Sequence, residues 1–181
     1  MRSAVPIAIL AGLAALGLVN ASIVQKETLI KEGEVVLLEL APVDPRSLMQ
    51  GDYMALRFRV ANEIRTQLRK RQTESGRTGS RYQSQDGTIV VVLDENSVGR
   101  FARFEDQQGL GENERLMQFR VRNGRVKFAT NAFFFQEGTA AIYEPARYGE
   151  FRVAGDGELL LTGMRDKQFK PLNPGTNTSD E

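Results

Sequence analysis

The stretch LMQFRVRNGRVKFA, Leu116 to Ala129, decides the fold class. Asn123-Gly124 sits between two arms in which apolar and polar residues alternate. Alternation at period two turns one face of a strand to a core and the other to water. A two-residue hairpin turn needs positive φ at both central positions, which Asn and Gly adopt at low cost. The stretch therefore predicts an antiparallel hairpin, Leu116–Arg122 against Arg125–Ala129. Its second arm runs on into Phe133-Phe134-Phe135, which puts at least one ring on each sheet face.

Working outward, the same logic finds more strands than helices. Glu150–Ala154 and Glu158–Met164 form a second hairpin around Gly155-Asp156-Gly157. Thr88–Leu93 (TIVVVL) is a buried strand, Val98–Phe104 another, and Asp106–Asn113 a Gly-containing turn. Val35–Leu40 (VVLLEL) is a near-continuous apolar run of strand length. In Gly51–Val60, Met54, Leu56, Phe58 and Val60 alternate with Tyr53, Ala55, Arg57 and Arg59, which predicts a strand with one buried face. Ala61–Gln72 reads as a short helix on the spacing of Ile64 and Leu68. Thr73–Gly87 is a polar loop, and Ala140–Tyr148 a second short helix limited by Pro145. The expectation is a mainly β (α+β) protein: an N-terminal transmembrane helix, then an antiparallel β-rich sheet or open barrel of roughly seven or eight strands with one or two short helices.

The N-terminal segment stands apart. Ala4–Val24 carries no charge, with Arg2 before it and Lys26 and Glu27 after it. About 20 apolar residues cross a bilayer as a helix, and this run meets that length. Pro6 falls in the first turn, where its missing N–H costs little. A retained signal-anchor is the leading reading. A cleaved signal peptide, with Val19 and Ala21 at the −3 and −1 positions, is the alternative. Residues 1–27 are thus read as the anchor, 28–170 as an extracytoplasmic domain, and 171–181 as a polar, disordered tail.

Composition excludes several chemistries. Among 181 residues there is no His and no Cys. Imidazole bases, Ser–His or Cys–His pairs, thiol chemistry and Cys or His metal sites are therefore out of reach. Lys plus Arg is 24 and Asp plus Glu is 23, a net charge of +1 that offers nucleic acid no long-range field. The basic residues Arg65, Arg69, Lys70, Arg71, Arg77 and Arg81 are not interleaved with stacking aromatics, so no nucleic-acid partner is expected. No metal and no cofactor are expected either.

Asp44-Pro45-Arg46 and Gly51-Asp52-Tyr53-Met54-Ala55-Leu56-Arg57-Phe58 resemble the GDYXXLXY family of bacterial membrane-anchored proteins. Phe135-Gln136-Glu137-Gly138 and Tyr143-Glu144-Pro145-Ala146-Arg147-Tyr148-Gly149-Glu150 extend the resemblance, which covers about Val35 to Asp166. The last aromatic of the motif is Phe58, where the family pattern has Tyr. A packing role survives that change, and a hydroxyl's chemistry does not. The resemblance implies an exported domain, held by one pass in the bacterial inner membrane and facing the periplasm, beside an integral membrane partner. It implies no reaction.

The candidate binding residues are Asp44, Arg46, Gly51, Asp52, Tyr53, Glu137, Arg147 and Tyr148. Gly51-Asp52 also suits a plain turn, with the carboxylate accepting nearby N–H groups. Asp44, Arg46 and Asp52 suit a charged rim or a salt-bridged corner. Tyr53, opposite Met54 and Leu56, suits a partner-facing position. Arg147 paired with Glu137, Glu144 or Glu150 suits a clamp within the fold. No catalytic residue is identified. The expected role is a membrane-anchored interaction module. The alternatives are a carboxylate-dependent envelope hydrolase using Asp44, Asp52, Glu137 or Glu144, and a small-ligand or lipid-binding β domain.

Overall fold

The computed structural model of the chain describes residues 4–41, 49–50, 53–74, 84–106, 108–130 and 132–174. Helix α1 spans Ala4–Glu32. Ten strands follow: β1 (Glu34–Glu39), β2 (Met49–Gln50), β3 (Tyr53–Ala55), β4 (Gln85–Leu93), β5 (Gly99–Phe104), β6 (Glu114–Arg122), β7 (Arg125–Lys127), β8 (Ala132–Phe134), β9 (Tyr148–Val153) and β10 (Leu159–Arg165). Two further helices are α2 (Arg59–Glu74) and α3 (Ala140–Tyr143). The strands beyond the expected number are two- or three-residue pieces, too short to leave a pattern of their own.

All strand pairs are antiparallel, in the orders β5-β4-β6-β7, β1-β9-β10 and β2-β3-β8. Two contacts curl the first two sheets around one core. Leu37 bridges Val98, with its N–H donating to the Ser97 carbonyl at 2.9 Å. On the far side the Gln118 N–H donates to the Gly157 carbonyl, also at 2.9 Å. The result is a curled half-barrel. The side chains of Val36, Leu38, Ile89, Val91, Met117, Phe119 and Phe151 fill it, each at most 2% exposed. Helix α2 adds Val60 and Ile64 to the same cluster.

Both expected hairpins form. Asn123 (φ 52°) and Gly124 (φ 72°) take the positive dihedrals that their turn requires. The first hairpin's second strand is shorter than expected, ending at Lys127, because the chain turns at Ala129 (φ 35°) toward β8. The strand expected over Gly51–Val60 is also corrected. β3 ends at Ala55 and α2 begins at Arg59. Burial still alternates as read, with Met54, Leu56, Phe58 and Val60 inside. Val60 serves two periods: it closes the alternation and starts the helical series Val60, Ile64, Leu68. The short helix expected over Ala140–Tyr148 stops at Tyr143, and Tyr148 instead opens β9. At the other end, Pro171 bridges Arg165 and Leu172 packs on the core.

Helix α1 is continuous past its apolar segment. Its 29 residues correspond to about 43 Å of helix. By length and composition it is able to cross a membrane. Its end is fastened to the β9–β10 hairpin. Leu29 is buried, Lys26 and Gln25 both reach Glu158, and Arg152 donates to the Gly33 carbonyl at 3.0 Å.

Candidate functional site

The motif GDYMALRF divides at Met54. On the inner side Met54 is aligned with Phe133 of β8, and both point to the core. Phe133 meets the Tyr143 ring edge-on at 5.0 Å, and Phe135 stacks on the same ring at 5.2 Å. Tyr143 is itself buried, and that burial pushes its phenol above the usual range. Small-sheet strands β3 and β8 are therefore pinned to α3 through three rings.

Phe58 lies deeper still. It packs edge-on against Phe151 at 5.3 Å and Phe128 at 6.2 Å. Gly149 makes room for it: a Cβ there would sit 2.8 Å from Phe58 Cε1. Backbone bonds lock the same place. Leu40 N–H donates to Arg147 O at 2.8 Å, and Ala41 N–H to Arg57 O at 2.7 Å. The Leu-x-Phe end of the motif and the block around Gly149 thus form one structural nest. The Phe58 ring is buried there in contact with both neighbouring rings, so the Tyr-to-Phe departure leaves the packing role intact.

The outer side differs. Tyr53 is aligned with Phe134 and the two rings are 5.7 Å apart. Tyr53 is half-buried, whereas Phe134 is 72% exposed, the most exposed large apolar side chain beyond α1 among the described residues. Two adjacent aromatics on the outer face of a small sheet form a rigid apolar platform.

The remaining predicted site residues are scattered or undescribed. Asp44, Arg46, Gly51 and Asp52 lie outside the described residues, as do Arg77 and Arg81. Glu137 is exposed in the turn after Phe135. Arg147 is exposed and donates to the Ala146 carbonyl at 2.8 Å. It does not form the expected clamp: Glu150 is held by Arg165 at 2.6 Å, because both project from the paired strands β9 and β10. Tyr148 packs on Phe169 with ring centroids 5.0 Å apart. No described contact joins Glu137, Arg147 or Tyr148 to the Tyr53–Phe134 platform. That the Phe133–Phe135 run puts a ring on each sheet face was legible in the sequence, but which ring faces outward, and the alignment of Phe134 with Tyr53, are set by sheet pairing between strands far apart in sequence.

Elsewhere, charges are spent on one another. Glu114 is gripped by Arg103 and by the Gly111 N–H at 3.0 Å, which holds its carboxyl below the usual range. Asp86 accepts from Arg122 at 2.6 Å and is lowered likewise. An open cleft of about 580 Å³ lies between α1 and the β4–β6 surface, lined by Lys26, Asp86, Thr88, Gln118, Arg120 and Glu158. Its two carboxylates are ion-paired, Asp86 to Arg122 and Glu158 to Lys26. Asp86, held below the usual carboxylate range by Arg122, is poorly suited to protonate a leaving group. Glu137 and Glu144, exposed on the turn and on α3's end, do not line this cleft. No group of three or more acidic side chains suited to a metal occurs among the described residues.

Fold and site together define a β-rich domain carried on an N-terminal apolar helix, with an aromatic platform on its small sheet. The chain belongs to the GDYXXLXY protein family, whose pattern matches residues 15–164. No curated protein and no solved structure matches it.

Proposed function

We propose that this protein is a membrane-anchored interaction module of the bacterial envelope. In this reading α1 is a retained single pass in the inner membrane and the domain faces the periplasm. The Tyr53–Phe134 platform docks an integral membrane protein. The observation that carries the reading is Phe134, an aromatic ring left 72% exposed on a structured strand beside Tyr53. Paired, well-supported aromatics are the usual anchors of protein interfaces. The continuity of α1 into the domain supports an anchor that also holds the platform at a set height above the bilayer.

Mild cross-linking of the full-length protein in its native membrane, followed by mass spectrometry, tests this. A specific integral membrane protein is the expected product. A chain found only as itself, or one released from membranes by an alkaline wash, would overturn the reading.

A further inference from the structure

The β6–β7 hairpin carries an unusual charge pattern. Its inner face supplies Phe119, Val121 and Val126 to the core or its margin. The outer face carries Arg120, Arg122, Arg125 and Lys127. The register sets Arg120 directly opposite Lys127 and Arg122 directly opposite Arg125. Like charges placed directly opposite across a strand pair destabilise it. Asp86 pairs with Arg122 at 2.6 Å and, aligned with Arg120 across β4–β6, also lies in that guanidinium's field. Arg120, Arg125 and Lys127 form no ion pair among the described residues.

The position of this face gives the pattern a purpose. Arg120 lines the cleft that Lys26 closes from the other side. Lys26 is the first charged residue after the apolar run of α1. Lys26 lies two residues, about 3 Å of helix rise, past Val24, the end of the apolar run, and Arg120 lines the same cleft. That depth matches the headgroup layer of a bilayer. Lys26–Glu158 and Arg152–Gly33 fasten the end of α1 to the β9–β10 hairpin, which sets the Arg120 end of the basic face across the cleft from the base of the anchor.

We infer that the outer face of the β6–β7 hairpin, with Arg120, Arg122, Arg125 and Lys127, binds the phosphate headgroups of anionic lipids beside the protein's own anchor. Anionic phosphates answer Arg125 and Lys127, which no described carboxylate pairs, and reach the mouth of the cleft at Arg120. Clustered cations at a membrane surface recognise anionic lipid in this way, without a shaped pocket for one headgroup. This inference rests on α1 being a membrane span. It is separate from the Tyr53–Phe134 platform, which lies on another sheet.

The chain has no Cys, so Gln118→Cys on the same exposed face gives a single labelling site. A fluorophore there is read in nanodiscs containing a headgroup-quencher lipid, with the full-length protein inserted. The discs are made of phosphatidylcholine alone or mixed with phosphatidylglycerol. Quenching is expected to rise when phosphatidylglycerol is present and to fall back at about 0.5 M salt, where the Debye length is only a few Å. Substituting Arg125→Gln and Lys127→Gln is expected to lower the phosphatidylglycerol-dependent occupancy by about fivefold per cation removed. Arg125 follows the turn directly and Lys127 lies two residues further along β7 on the same outer face, and an unchanged melting midpoint in phosphatidylcholine discs shows that the variant is folded. Equal quenching in both lipids, with the protein still inserted, would overturn the inference and leave the anchor standing. Phosphatidylglycerol-independent quenching relieved by inorganic phosphate would overturn it too, by assigning the face to a free anion. A protein that fails to insert at all would instead sink the anchor reading.

Discussion

Tyr53 and Phe58 belong to one short motif and have opposite surroundings. Phe58 is enclosed by Phe128, Phe151 and the bare backbone of Gly149. Tyr53 faces outward beside Phe134 on a sheet whose other face is pinned to Tyr143. The difference teaches that one short string can hold two devices. The Leu-x-Phe end closes the core. The Tyr end sits on a surface whose rigidity the core supplies. Changes at the two ends should therefore fail in different ways, the first in stability and the second in association.

The largest effect is expected at the buried end. Phe58→Ala removes a ring that three neighbours enclose, and should cost about 3–5 kcal/mol. Denaturant unfolding of the full chain in detergent, followed by the loss of β signal, reads it. A cost under about 1 kcal/mol would mean that the nest collapses freely, contrary to the packing described.

Gly149→Ala approaches the same nest from the other side. The new Cβ would lie 2.8 Å from Phe58 Cε1 and 3.2 Å from Leu161 Cδ1. Overpacking of this kind costs about 1–3 kcal/mol. Combining it with Phe58→Leu should recover part of the loss, since the offending ring edge is gone, and a double-mutant cycle measures that coupling.

A third change probes charge and leaves both ends of the motif untouched. Arg103 holds the Glu114 carboxyl below its ordinary 4.5. A carboxyl lowered in the folded state stabilises fully above its unfolded value, and the contribution is lost as pH falls through the folded value. Stability should therefore decline below about pH 4.5, and Glu114→Gln should flatten that decline while lowering stability at neutral pH. Melting midpoints between pH 7 and pH 3 read the difference. An acid limb unchanged by Glu114→Gln would show that the Arg103 pair contributes nothing measurable.

The smallest effect on stability is expected at the outer end. Tyr53→Ala and Phe134→Ser remove exposed or half-exposed rings and should each change stability by no more than about 0.5–1 kcal/mol. Their effect belongs in partner capture. A large stability loss in Phe134→Ser would place that ring in the core and break the comparison.

Much of this arrangement was legible in the sequence, and the failures have physical causes. Asn123-Gly124 and the alternation on either side of it predicted the hairpin, because turn chemistry and period two are local. The Tyr53/Met54 inside–outside assignment followed from the same period, whereas the Phe133–Phe135 run showed only that each sheet face carries a ring. The start of α2 did not, because Val60 satisfies strand and helix periods at once and tertiary packing decides between them. Glu137, Glu144 and Glu150 were all open as partners of Arg147 because they are near it in sequence, whereas Glu150 pairs with Arg165, which is close only across a strand pair. The meeting of Phe58 with Gly149, and of Tyr53 with Phe134, depends on pairing between distant segments, which no local pattern encodes.

The most direct test of the central claim places a photoreactive phenylalanine analogue at Phe134, with a control analogue at exposed Glu144, in full-length protein in its native membrane. The account predicts an adduct with an integral membrane protein from position 134 and none from position 144. Equal labelling from both positions, or no protein adduct from position 134 while the chain is folded and membrane-inserted, would contradict it.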